Sequence, residues 1–275
     1  MISIFALPAY IGHSYSKNSP ESARRLSSRI RGEEMAEYLG AKFNPEESYD
    51  NDVKIYVKPR SLDYISDGSY VDFLDGEFRD YWLLKRPKIK VIAASQYSYD
   101  YFKSRLQNEI FLIPSHHLNN DRIKRDRKEI KVAGYIGAPS PEAFKRFDDI
   151  KEALKGIGID LVTSFFFKTK QDALDLYKQI DIFIHGDWDS LDHPFRIPTK
   201  IVNAASFGIP SLAYPMMGNK ELEGYYLHAK NMKEMLMQVE KLKDPSFYNS
   251  VVKEIVPMSE RYHISRIAEL YQKLS

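Results

Sequence analysis

The stretch DIFIHGDWDSLDHPFRIPTKIVNAASFGIPSLAYP, residues 181–215, decides the fold. It opens on a short apolar run, residues 181–185, of the kind a strand buried on both faces needs. An acidic, aromatic loop follows, with Asp187, Trp188, Asp189, Asp192 and His193. Arg196 and Lys200 then flank Pro198-Thr199, where a helix starts. Ala204, Ala205 and Ser206 give that helix a small face that packs close to a sheet. Phe207-Gly208-Ile209-Pro210 turns into a second apolar run, residues 210–214. Strand, loop, helix, strand is the repeating unit of a parallel sheet. The helix N-terminus presents amides without intrahelical acceptors and the positive end of the helix dipole. With Arg196, Thr199 and Lys200 beside it, it is a ready diphosphate site.

The same pattern extends outward on both sides. Before it, residues 131–136 and 160–164 read as strands, and 141–154 and 170–178 as helices. After it come helices at 231–242, near 245–256 and at 259–274. The N-terminal half starts the pattern separately. Residues 2–7, 53–57, 90–95 and 109–113 read as strands; 22–40 and 97–106 read as helices, and 73–84 has weaker helical character. Gly40 suits a helix C-cap. Between the halves lies a polar, basic run, residues 119–131, which reads as a nucleic-acid patch or an exposed linker; the near-zero charge elsewhere and the lack of aromatics in the run favour the linker. The predicted domains are therefore 1–120, with the helix 259–275 returning to it, and 129–257. No residue-level repeat links the halves.

Composition narrows the chemistry. At 275 residues the chain can build two cored domains. It has no cysteine, which excludes a disulfide scaffold, a thiolate zinc site and a thiol nucleophile. Lys+Arg is 40 against Asp+Glu 38, a net charge of +2, which argues against broad binding to nucleic acid. No apolar run approaches the ~18 residues of a membrane span. The first residues lack the basic region of a signal peptide. The expectation is a cytoplasmic protein without a transmembrane segment, a composition still compatible with peripheral membrane contact. The 19 Tyr and 15 Phe suit core filling or sugar stacking, and both readings stay open.

Other candidates lie after strands, where parallel α/β sheets bind ligands. In Tyr10-Ile11-Gly12-His13-Ser14, Gly12 lets backbone approach a phosphate or sugar, with the His13 imidazole beside it. Lys58-Pro59-Arg60 suits an anion or plain solvation, and so do Arg29 and Arg31 near the first helix. In Ser115-His116-His117 the adjacent histidines diverge in extended chain and no carboxylate stands at ligand spacing. No metal site is expected there; a hinge or cleft-edge position stays open.

The segment Pro198-Thr199-Lys200-Ile201-Val202-Asn203-Ala204-Ala205-Ser206-Phe207-Gly208-Ile209-Pro210 resembles the donor-binding segment of GT-B glycosyltransferases, in particular the retaining family-4-like group. Tyr135-Ile136-Gly137 is similar to the strand end that opens that family's nucleotide-binding domain, and residues 262–274 to its C-terminal tail helix. The resemblance implies an α/β protein with two Rossmann-like domains facing a cleft, the last helix crossing back to the first domain. It implies transfer of a sugar from a nucleotide-diphospho-sugar, such as a UDP-sugar, to a glycan or other hydroxyl acceptor in glycan biosynthesis. It implies a retaining, metal-independent reaction with no permanently bound cofactor. Donor contacts would fall to Gly137, Arg196, Thr199, Lys200 and Asn203. Gly12, Lys58 and Asp189 are further donor or acceptor loop positions. His13 is the available base if the reaction inverts. The family commonly carries two glutamates eight residues apart. Here the second position is Asn203 and the first falls near Phe195, with Asp189 and Asp192 as the nearest acids. That departure also fits a degenerate, non-catalytic member that binds a glycan or serves as a partner subunit.

Overall fold

A computed structural model describes residues 1–6, 29–59, 61–74, 80–125, 129–137, 141–164, 170–185 and 194–274. The chain divides into two compact units. Residues 1–116, 193–197 and 264–275 form the first; 117–192 and 198–263 form the second. Set beside the sequence expectation, residues 117–120 go with the second unit, and so do 259–263. Residues 193–197 return to the first unit from within the second.

The first unit holds six parallel strands in the order β2-β1-β3-β4-β5-β6: β1 (Ile2–Ala6), β2 (Lys42–Phe43), β3 (Val53–Val57), β4 (Tyr70–Asp72), β5 (Lys90–Ala93) and β6 (Ile110–Leu112). Alternate residues of each strand serve opposite faces. Ile2, Ile4, Ala6, Ile55, Val57 and Ile92 enter one core, which the last helix joins through Ile264, Ile267, Ala268 and Tyr271. Phe5, Tyr56, Val91 and Ala93 enter the other, against Phe102 and Leu106. The helices are α1 (Met35–Leu39), α2 (Asp80–Leu84), α3 (Gln96–Arg105) and, at the end of the chain, α9 (Ile264–Gln272). Ser95 caps α3, its side chain accepting from the Ser98 amide.

The second unit holds five parallel strands in the order β11-β10-β9-β7-β8: β7 (Val132–Ile136), β8 (Asp160–Ser164), β9 (Ile182–Ile184), β10 (Ser211–Ala213) and β11 (Leu227–His228). Its helices are α4 (Pro141–Lys155), α5 (Lys170–Gln179), α6 (Thr199–Ser206), α7 (Met232–Leu242) and α8 (Pro245–Ser259). Phe147, Ile150 and Leu154 of α4 and Met235, Val239 and Leu242 of α7 cover one face. Ile201, Val202 and Ala205 of α6 and Ile255 and Met258 of α8 build the other core.

The parallel α/β reading holds, and several local expectations are corrected. The helix expected over 22–40 is, in its described part, a π-helical turn (Arg29–Glu34) followed by α1; Gly40 ends it at φ 63°. In the described part of the expected helix 73–84, α2 is helical, and residues 70–72 before it form β4. Strands β2, β4 and β11 have only two or three residues, too few for periodicity to register. Residues 119–125 are exposed at Asp121, Arg122 and Lys124 but tied to the second unit at their other positions. The Asn119 side chain accepts from the Ile123 amide at 2.7 Å and donates to the Ser206 carbonyl at 2.8 Å. Arg125, 6% exposed, pairs at 2.9 Å with fully buried Asp181. Asp181 also accepts from the amides of Lys131 and Val132, so the basic run is tied to the start of β7. Among the described residues no helix is long and apolar enough to cross a membrane.

Candidate functional site

Both sheets reverse strand order beside their first strand, between β1 and β3 in one unit and β7 and β9 in the other. Such a switch point opens a crevice at the carboxyl ends of the two strands, where ligands bind.

In the second unit Gly137 follows β7, and its amide donates to the Ser164 carbonyl at 3.1 Å. Tyr135, 4% exposed, folds back over this turn. A Cβ on Gly137 would lie 2.1 Å from the Tyr135 hydroxyl, so any side chain there would have to displace the Tyr135 ring. The Tyr135 ring packs on Phe147 at 4.1 Å, which fixes its plane. Lys200, in the first turn of α6, sets its ammonium 4.7 Å from the Tyr135 ring centre and 3.4 Å from its hydroxyl. Gly137 and Lys200, far apart in sequence, therefore meet on Tyr135. Thr199 opens α6 behind Pro198, which brings no side-chain cap. The first-turn amides have no intrahelical acceptor by helix geometry. Cation and helix end thus suit an anionic ligand.

Asn203 lies in the same helix and turns inward. It is 5% exposed, and its Oδ1 accepts from the Leu118 amide at 2.9 Å. Its oxygen thus joins residues 117–119 to α6. His185, directly after β9, is 6% exposed, and its amide donates to the Leu212 carbonyl. His185 therefore stands at the carboxyl end of β9, on one side of the switch point.

In the first unit Lys58 follows β3 with φ 51°, a left-handed conformation that is uncommon without glycine. Its amide donates to the Asp72 carbonyl at 2.7 Å. Asp72, at the end of β4 and fully buried, forms an ion pair with Arg31, itself 1% exposed. Neither sequence reading of Arg31, anion site or solvated helix face, describes this pair. Burial pushes the Asp72 carboxyl up, while Arg31, the Leu74 amide and Lys58 pull against it. Arg31 also reaches Ser115 at 3.4 Å and faces the Tyr271 ring at 5.9 Å. His116, 1% exposed, sits 3.3 Å from Glu34. His117 lies edge-on to His263 at 5.4 Å. Among the described residues no group of three or more His, Asp or Glu is arranged to hold a metal ion.

Arg196 is half-buried and counts with the first unit, in the segment 193–197. Gly12, His13, Arg60, Asp189 and Asp192 lie outside the described residues.

No family model matches the chain, and no curated protein matches it by sequence. Solved structures do. An α,α-trehalose-phosphate synthase (UDP-forming) from Burkholderia vietnamiensis matches with a TM-score of 0.59 at 8% identity, over 93% of this chain and 74% of that one. The Glycosylation Associate Protein (Gap123) complex from Streptococcus agalactiae matches at 0.56 and 10% identity, over 88% and 57%. TarM matches at 0.52 and 13% identity, over 83% and 51%.

The chain has the GT-B fold.

It spans about half the length of TarM and 57% of the Gap123 chain. At these identities the likeness shows the fold alone. In this GT-B chain the residues that sequence reasoning underweighted are Tyr135, Arg31 and Asp72. Tyr135 stood in view only as part of a strand end. The Arg31–Asp72 pair carries no local signal, because its members are 41 residues apart.

Proposed function

We propose that this GT-B chain is a glycosyltransferase. Its second unit binds a nucleotide-diphospho-sugar, and its first unit holds the hydroxyl acceptor. The observation that carries the reading is the meeting of Gly137, Tyr135 and Lys200 at the β7–β9 switch point, beside the first turn of α6. As the bond from the sugar to the diphosphate breaks, negative charge grows on the leaving oxygens. The Lys200 ammonium, the α6 amides at Thr199 and the positive helix end stabilise that charge more in the transition state than in the bound donor. Arg196 is the further donor contact that the sequence resemblance implies. The ring of Tyr135 holds the Lys200 ammonium in place before the donor arrives, so little reorganisation is needed. These cations take the part a divalent metal would otherwise play, so turnover is expected to survive chelation. His13 is the candidate base if the reaction inverts.

UDP is the first nucleotide to test, because a trehalose-phosphate synthase of this fold is UDP-forming. Calorimetry with UDP, GDP and ADP should show one of them binding. Lys200→Ala should weaken that binding at least tenfold, about 1.4 kcal/mol. Unchanged affinity in this variant removes the site.

A second reading is a non-catalytic subunit of a glycosylating assembly. One observation favours it: Phe195, near the position where the resemblance expects an acid, is 7% exposed and packed among aromatic rings. The likeness to the Gap123 complex fits the same reading. Mass spectrometry of UDP-sugars incubated with the protein separates the two. Slow donor hydrolysis supports the transferase; binding without any turnover supports the subunit.

A further inference from the structure

The sequence resemblance gives Gly137 a donor contact, yet the Gly137 amide is taken up within the sheet, where it donates to the Ser164 carbonyl at 3.1 Å. The group that stands over the glycine is the Tyr135 hydroxyl, in the volume a Cβ on Gly137 would need. A phenol oxygen therefore lies at the carboxyl end of β7, beside the switch point with β9. Its ring is held on two sides. Phe147 lies 4.1 Å away at an interplanar angle of 32°, and Phe183 is stacked at 6.5 Å and 15°. Lys200 Nζ sits 3.4 Å from the hydroxyl. An ammonium only donates, so the phenol oxygen accepts in this contact and its own proton is directed at another acceptor. The positive charge beside the oxygen polarises the O–H bond and makes it a stronger donor. A phenol O–H and an ammonium N–H this close together can meet oxygens of one phosphoryl group. A ring already fixed by packing loses little freedom when its hydroxyl binds.

We propose that the Tyr135 hydroxyl is itself a contact for the donor diphosphate, giving its proton to a phosphoryl oxygen beside the Lys200 ammonium. The ring seats Lys200, and the hydroxyl adds a second hydrogen-bond donor where the Gly137 amide supplies none. The inference rests on the donor reading above.

The test is a set of UDP titrations by calorimetry on the full chain, with GDP or ADP in place of UDP if one of those binds instead. Tyr135→Phe keeps the ring on Phe147 and beside Lys200 and deletes one oxygen. It should weaken binding about fivefold, the range of a hydrogen bond to a charged group. A thermal scan of the same variant should match wild type; early melting together with weaker binding marks a packing defect and overturns the proposal. The deciding comparison is with Lys200→Ala. Tyr135→Phe should still cost at least about threefold in that background, because the hydroxyl meets the ligand whether or not the ammonium is present. No further loss there overturns the proposal, since the hydroxyl then acts only by seating Lys200. No loss on Tyr135→Phe alone, with Lys200→Ala still weakening binding, overturns it too and leaves the donor site standing. If Lys200→Ala has no effect, the donor site itself is wrong. If the wild type binds none of the three nucleotides, both readings fall.

Discussion

Removing Asp72 should unfold the first unit more readily than any surface change, because it strands a buried cation. Asp72 is fully buried and Arg31 is 1% exposed. In Asp72→Ala the guanidinium keeps, among the described residues, the Ser115 hydroxyl at 3.4 Å and the Tyr271 ring at 5.9 Å. The Leu74 amide, which donates to Asp72 at 3.0 Å, also loses its acceptor. Breaking a buried pair from one side costs about 3–5 kcal/mol. That corresponds to a fall in melting temperature on the order of 10 °C. The double variant Arg31→Met/Asp72→Ala leaves no charge behind and should recover most of the loss. Trp82 provides the readout: its ring lies 6.4 Å from Phe73, next to Asp72, and the chain's other tryptophan, Trp188, is changed to Phe. Urea unfolding followed by Trp82 fluorescence gives the stability of each variant. A loss below about 1 kcal/mol in Asp72→Ala, in the range of exposed pairs, refutes the buried-pair account. So does a double variant no more stable than the single one. The opposite truncation carries a pH signature. In Arg31→Met the buried carboxyl sheds its charge by binding a proton, since burial already pushes it up. A raised folded value gives stability that is present below the ordinary carboxylate range and is lost as pH rises through the folded value. The deficit of Arg31→Met relative to wild type should therefore shrink as pH falls.

Three further outcomes are expected. Gly137→Ala should displace the Tyr135 ring and weaken nucleotide binding about as much as Lys200→Ala, with little change in melting, as calorimetry beside a thermal scan would show. Gly134→Ala places a Cβ 2.4 Å from Ile180 Cγ2, an overpacking that costs about 1–3 kcal/mol in urea unfolding; adding Ile180→Val should return part of it. Asp52, bonded to Lys42 and Ser3, has its carboxyl held below the ordinary value of 3.8. A lowered folded value gives stability that is present above 3.8 and is lost as pH falls through the folded value. Asp52→Asn should therefore flatten the acid side of the stability profile, measured by urea midpoints from pH 5 downward.

The alternation of strands and helices, the parallel sheets and the start of α6 at Pro198-Thr199 were all legible in the sequence. These are local signals: apolar runs such as residues 181–185, small residues on one helix face, and Gly or Pro at element ends. Lys200 and Gly137 were singled out for the same reason, since each sits at an element end. Their meeting on Tyr135 was not visible, because it depends on which strand lies beside which. The tertiary structure also decided the roles of residues whose partners are distant. It turned Asn203 toward Leu118, buried Arg31 against Asp72, drew the basic run 119–125 onto the second unit and seated Phe195 among the rings of α3. Sequence shows a side chain's polarity and its place in a periodic element. Whether a charge or a ring ends in solvent or in a core is set by topology, which brings chain-distant groups together and makes an unpaired buried charge too costly to leave.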